Sequence, residues 1–421
     1  MWKTTSARPQ ILRLFDLVPA SPVRPMTKRL RIGFVSNTNP LDRRSWSGVH
    51  YSIFKALERH LGEVVALGPL PMRWPFALGD RLNSWLVRPL TGKHYQYGWS
   101  IAMARWYGWV FGRKIARQHF DLLVAPASFT EIAYLRTNVP IVYIEDSTLI
   151  QLIDFYPGLT GLLDVSKAEL NHLEKQALDR ASLVCYSSEW AARSARDDYG
   201  ASADKIVVIP FGSNYPDPPS REQVQHHAPA PDGGCRLFLL GGEWGRKGGA
   251  IAYDTMVALQ KHGITATLTV VGCHPPDPEN YTNPGFRTIP FLNMSVPTDR
   301  QQLHEFFSTA DFFLLPSRAE CAAIAFCDAN SFGLPVLTTD VGGIASFVQP
   351  GVNGYMLPLS ATGNDFAQRI LEILADPAQY QHLRRQSREQ YEAILNWDKW
   401  TIGLRNALVE KAVLPISTTI K

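Results

Sequence analysis

Leu314-Leu315-Pro316-Ser317-Arg318-Ala319-Glu320 runs on through Cys321-Ala322-Ala323 to Cys327-Asp328-Ala329-Asn330-Ser331-Phe332-Gly333-Leu334-Pro335, and the architecture can be read outward from this stretch. The apolar run ending at Leu315 predicts a buried strand over 312–315. Pro316 stops it, a polar loop delivers Glu320, and the pattern predicts a helix over 322–332. The same rhythm surrounds it, with strands expected at 237–240, 266–271 and 335–338 and helices at 250–262, 300–308 and 365–374. It also fills the preceding half. Strands are expected there at 30–35, 121–125, 141–144, 183–186 and 206–209, with helices opening at Ser47-Gly48 and covering 165–180 and 190–199. Short apolar strands alternating with helices predict α/β domains, each a parallel sheet covered on both faces. The expected organisation is an extension over 1–27 (Met26 being an alternative start), a Rossmann-like domain over 28–214 and a Pro-rich linker over 215–234. A second such domain over 235–396 follows, then a helix over 397–421 crossing back to the first. Ligands of such pairs bind between the C-terminal edges of the two sheets.

Seven residues separate Glu320 from Asp328. On a helical path that is roughly 11–12 Å, the span from the sugar to the ribose of a nucleotide sugar. A helix N-terminus between them would aim free N–H groups at a diphosphate. The plain alternative is two ordinary acids at helix ends. The second informative element is Gly241-Gly242-Glu243-Trp244-Gly245-Arg246-Lys247-Gly248-Gly249, expected between a strand and a helix. Its glycines permit close backbone approach, and Arg246 and Lys247 set two cations at a helix start. It lacks both Gly-Lys-Ser/Thr and Gly-x-Gly-x-x-Gly, which argues against ATPase and dinucleotide readings.

Together these segments resemble glycosyltransferase family 4, whose fold is GT-B: two facing Rossmann-like domains with a deep cleft. The resemblance runs from Lys28 to about Trp400. The family's Glu-x7-Glu motif falls on Glu320 and Asp328, followed by Gly333 to Val336, and its basic phosphate loop falls on Arg246, Lys247 and Gly248. Gly342-Gly343, Gly351-Val352-Asn353-Gly354, Phe211-Gly212-Ser213-Asn214 and Val271-Gly272 match further family turns. Asp328 stands where the family has a second Glu, and Cys321-Ala322-Ala323 where it has Gly-Phe-Gly. What the resemblance implies is a retaining, metal-independent hexosyltransferase using a UDP- or GDP-sugar, with no other cofactor. Glu320, Lys247 and Arg246 would be catalytic, and Asp328, Cys321, Ala322, Ala323, Gly245 and Gly272 would bind the donor. The family's first-domain histidine has no counterpart in 142–148, so Asp146 is the candidate for a sugar or acceptor contact, or else a helix cap. Gly48 lies where the family has its acceptor loop, with Ser47 a possible N-cap. A silent nucleotide-sugar-binding protein and a nucleotide-sugar 2-epimerase are the rival readings.

Composition narrows the partners. The 421 residues carry 42 Lys plus Arg against 38 Asp plus Glu, too balanced for nucleic acid. Five cysteines lack metal spacing, and His226-His227 has no supporting ligands nearby. An odd, unpatterned cysteine count and the absence of a secretory h-region or a spanning apolar stretch fit a cytoplasmic protein. The stretch 72–120 holds Trp74, Trp85, Trp99, Trp106 and Trp109 among eight basic residues, with Asp80 its single acid. Two readings stand open for it: peripheral contact with an anionic membrane, or core aromatics with snorkelling basic heads.

Overall fold

The computed structural model describes residues 29–70, 73–225 and 233–414, the side chains of 73–77 excepted. The expected extension over 1–27 and the His226-His227 pair lie outside them.

Two six-stranded parallel sheets organise the chain. The first contains β1 (Leu30–Phe34), β2 (Gly62–Ala66), β3 (Leu122–Pro126), β4 (Ile141–Glu145), β5 (Leu183–Tyr186) and β6 (Ile206–Val208), in the order β2-β1-β3-β4-β5-β6. The second contains β7 (Cys235–Leu240), β8 (Ala266–Val271), β9 (Phe286–Ile289), β10 (Phe312–Leu315), β11 (Val336–Thr339) and β12 (Gly354–Leu357), ordered β12-β11-β10-β7-β8-β9. Helices on both faces explain the unbroken apolar strands: every residue of β5 and of β10 is buried. In the second sheet the order reverses between β7 and β10, so the loops leaving these neighbours diverge to opposite faces and open a crevice.

The two domains are joined twice. The chain crosses at Phe211–Tyr215 and again at Ile394–Trp400, and the crossings touch. Ser213 N–H donates to the Leu395 carbonyl at 3.0 Å, and Phe211 stacks on Trp397 with centroids 5.6 Å apart. The second domain's core therefore continues through Phe211 and Trp397 into one face of the first sheet, while the other face has its own cluster around Tyr107, Phe111 and Tyr143. The helix Trp397–Glu410 packs on the helix Val49–His60. There the Asp398 carboxylate accepts from Arg59 at 2.8 Å and His60 at 2.7 Å. All five cysteines are buried and free. The linker is not wholly irregular, since Arg221–Gln225 is helical and buries Val224.

The long excursion between β2 and β3 divides the two readings of 72–120. Tyr107 and Phe111 on the helix Ile101–Ile115 are core, as snorkelling requires. Trp85 and Trp109 are exposed. None of the helices among the described residues is long and apolar enough to cross a membrane.

Candidate functional site

The loops after β7 and β10, the two strands at the reversal point, carry the charged cluster. Lys247 and Glu320 are both buried, and the ammonium donates to Glu320 Oε2. Arg246 Nη1 stands 3.6 Å from the same oxygen, and the Ser317 hydroxyl stands 3.4 Å from it. Arg246 is itself held by the Ala319 carbonyl at 3.1 Å and by Glu243 at 3.2 Å. One carboxylate thus holds two cations in place, leaving two ammonium hydrogens and the guanidinium Nη2 group for an anion.

Backbone geometry allows this approach. Gly248 is left-handed (φ +70°), and a Cβ there would lie 2.0 Å from the Pro316 carbonyl oxygen. Gly342 is left-handed too (φ +60°), and a Cβ there would meet the Glu320 carbonyl oxygen at 1.9 Å. The loops after β7 and β11 are therefore both seated backbone to backbone on the loop after β10, with glycine at the contacts. Gly272, also left-handed, closes against Gly241 at the end of β8, whereas Gly245 lies exposed with open space around it. Cys321 and Ala323 are buried and Ala322 half-buried. The helix begins only at Ile324, so residues 320–323 are loop and the distance expected from a helical path does not apply.

That difference matters most for Asp328. One of its carboxylate oxygens is already engaged within the chain. Oδ1 accepts from the Ser213 hydroxyl at 2.6 Å, Asn214 N–H at 2.8 Å and Tyr215 N–H at 3.0 Å, all in the first interdomain crossing. Burial pushes its pKa up to about 6 against the pull of these three donors. Asp328 thus ties the helix Ile324–Ser331 to the first interdomain crossing, and the shorter acid fits partners that lie so near.

The first domain supplies the opposite wall. Asp146 follows β4, accepts from the Ser147 hydroxyl at 3.1 Å, and is raised to about 6 by burial, the Glu320 charge adding to the effect. It is not a helix cap: the helix Leu149–Leu152 is capped by Thr148 in a reciprocal box with Gln151. Gly48, left-handed at φ +86°, is the N-cap of Val49–His60 and follows left-handed Trp46 and Ser47. The Ser47 carbonyl instead accepts from the Asn214 side-chain amide at 2.8 Å.

Three residues of this wall were not legible beforehand. Tyr156 crosses the cleft, its ring 4.8 Å from the Arg246 guanidinium. Tyr156 and Ser147 also bear on Cys321, whose thiol is pushed well up, first by burial and then by Asp146. His50, buried, accepts at Nδ1 from the Ser45 hydroxyl (2.7 Å) and donates at Nε2 to the Pro126 carbonyl (3.0 Å). The aromatic pair Phe155-Tyr156 before Pro157-Gly158 was the available signal for the cleft contact. Among the described residues no group of three His, Cys, Asp or Glu side chains is placed to hold a metal.

Residues 235–376 match the family model of Glycosyl transferases group 1. The chain is 24% identical over 238 residues to the D-inositol 3-phosphate glycosyltransferase of Nocardiopsis dassonvillei, covering 54% of this chain and 55% of that protein. It is 27% identical over 240 residues to the enzyme of that name from Acidothermus cellulolyticus, covering 52% of each. The chain thus spans about half the length of the curated relatives it matches. Sucrose-phosphate synthase from Thermosynechococcus elongatus superposes with a TM-score of 0.62 at 18% identity, over 91% of this chain and 99% of that one. Anabaena HepE, solved with UDP and glucose, gives 0.57 at 15% identity, over 92% and 100%. The fold is GT-B.

Proposed function

We propose that this chain, whose residues 235–376 match the family model of Glycosyl transferases group 1, moves a glycosyl group from a nucleotide diphosphate sugar to an acceptor hydroxyl, with retention of anomeric configuration and without a divalent metal. One observation carries the reading: Arg246 and Lys247 are gathered by Glu320 at the reversal point of the second sheet, facing Asp146 and Tyr156 across the cleft. As the bond to the sugar breaks, negative charge grows on the leaving diphosphate. Two fixed cations in a partly desiccated cleft stabilise that charge with little reorganisation. They fill the role a metal would take, so turnover is expected to survive a chelator.

Glu320 orients the cations and positions the donor sugar. Asp146, on the opposite wall, is placed for a sugar or acceptor hydroxyl. The contact between Tyr156 and Arg246 favours a closed cleft, which keeps water from the donor. UDP and GDP remain the two candidate leaving groups, and HepE's UDP complex on the same fold favours the first.

A thermal-shift screen of nucleoside diphosphates tests the reading, since a specific ligand stabilises the folded state by mass action. The matching nucleotide sugar should then release its diphosphate in the presence of acceptor. If no nucleoside diphosphate raises the melting temperature, the proposal fails. Stabilisation without release across acceptors would point to a silent binding protein.

A further inference from the structure

The helical run from Arg73 to Thr91, part of the excursion between β2 and β3, exposes an apolar face that nothing among the described residues covers. Leu78 is 51% exposed, Leu82 41%, Trp85 80%, Leu86 54% and Leu90 75%. The leucines recur every four residues, a spacing that drifts around an ordinary α-helix. A wider π-turn over Asn83–Val87 takes up the drift and keeps them near one stripe. The run is fastened by its opposite, small side. Gly79 lies against the Tyr97 ring, and the Asn83 amide pairs with both the N–H and the carbonyl of Tyr95 at 2.9 and 2.8 Å. Arg81 and Arg88 lie exposed on the same run, Lys93 beyond it is paired with Asp164 at 3.2 Å, and Asp80 is the only acid between 72 and 120.

We infer that this run docks on an anionic lipid bilayer, its leucines and Trp85 entering the interface and its basic residues meeting headgroup charge, so that the cleft opens toward an acceptor borne by lipid. Charge decides the occupant. A stripe of large apolar residues, an exposed tryptophan and the two arginines Arg81 and Arg88 against the single acid Asp80 fit an anionic surface. The run also lies next to the cleft in the chain's own connections. His94 exchanges backbone bonds with Gly161 (3.0 Å) and Leu163 (2.9 Å), closing a loop whose Tyr156 reaches Arg246. The docking stands on this surface alone; the lipid-borne acceptor rests also on the transferase reading.

Co-sedimentation of the full chain with vesicles of phosphatidylglycerol and phosphatidylcholine, against phosphatidylcholine alone, tests it. Binding is expected on the anionic vesicles and should weaken steeply between about 0.1 and 0.5 M salt. Trp85→Ser with Leu90→Ser should lower the partition coefficient on the order of a hundredfold. Arg81→Ser with Arg88→Ser should lower it about thirtyfold on anionic vesicles only. Both pairs sit at exposed positions, so the stabilisation by nucleoside diphosphate should be unchanged, which separates failure of docking from failure of the transferase reading. No binding to anionic vesicles, or binding indifferent to both pairs, would overturn the inference. So would self-association abolished by the Trp85→Ser pair, which would assign the stripe to a second copy.

Discussion

Replacing Lys247 by Met is the sharpest perturbation available, because it keeps the packed stem and removes only the charge. That stem lies so close over Gly241 that a Cβ there would come within 2.7 Å of Lys247 Cγ, and truncation to Ala would add a void to the lost charge. Loss of one preorganised donor to a developing anion weakens transition-state stabilisation by about 3 kcal/mol, or roughly a hundredfold in turnover. Stability should fall less than the 3–5 kcal/mol typical when a buried ion pair is broken. Arg246, 3.6 Å from the same Glu320 oxygen, remains to balance it, so about 1–2 kcal/mol is expected. The assay is the initial rate of nucleoside diphosphate release with saturating donor, beside a urea titration of the same preparation. A second variant separates the two roles. Adding Glu320→Gln removes the carboxylate that has lost its nearer cation and should restore most of the lost stability while leaving turnover low. Were Lys247→Met to turn over within about threefold of the parent while fully folded, the argument that this ammonium meets the leaving charge would be refuted.

Gly248→Ala should cost several degrees in melting temperature, since the left-handed backbone and the Pro316 carbonyl 2.0 Å from the new Cβ both oppose it. Gly245→Ala, with open space around it, should cost almost nothing, and equal losses would refute the reading of the loop contact. Tyr156→Ala should lower kcat/KM by about 2- to 30-fold at unchanged melting temperature, and Tyr156→Phe by less, because the ring face under Arg246 survives. His50 is held at about 4 by burial while the unfolded chain protonates it near 6.5. Its contribution is therefore complete above about 6.5 and is lost as pH falls toward 4, by about 3 kcal/mol. His50→Gln should flatten that part of the pH–stability curve from denaturant titrations, and an unchanged slope would refute the account.

The fold was largely legible because eight of the strands are central and read as apolar runs, and the edge strand β6 still shows one in Ile206-Val207-Val208. The three that went unread, β2, β9 and β12, are all at sheet edges, where exposed residues such as Glu63 and Arg287 break the run. The pairing of Lys247 with Glu320 could be anticipated from two strand-to-helix loops of the right chemistry. Tyr156 could not, because it meets Arg246 from 90 residues away and across a domain boundary. The partners of Asp328 were not legible, for two reasons. Counting along a helix ignored the loop that persists to Ala323, and the partners that claim its oxygen lie 113–115 residues earlier. No local pattern announces such a contact. It exists only once both crossings are in place.

The placement of Asp328 bears on how the cleft could open and close. The hinge unites stacked Phe211 and Trp397, a carboxylate with three donors, and a Ser213 backbone bond to Leu395. Disrupting such a buried polar and aromatic knot would cost several kcal/mol, since each donor would lose a charged partner. The walls of the cleft meet through far weaker contacts: the Tyr156 ring against Arg246, and Glu189 N–H on the Ser346 hydroxyl at 3.3 Å. Contacts of that kind are worth about 0.5–2 kcal/mol each, within reach of what a bound ligand can replace. Motion is therefore expected to rotate the walls about an intact hinge; the Tyr156 ring takes the face of the Arg246 guanidinium, while a donor diphosphate would take its N–H edge. Donor binding and cleft closure are coupled at that one side chain.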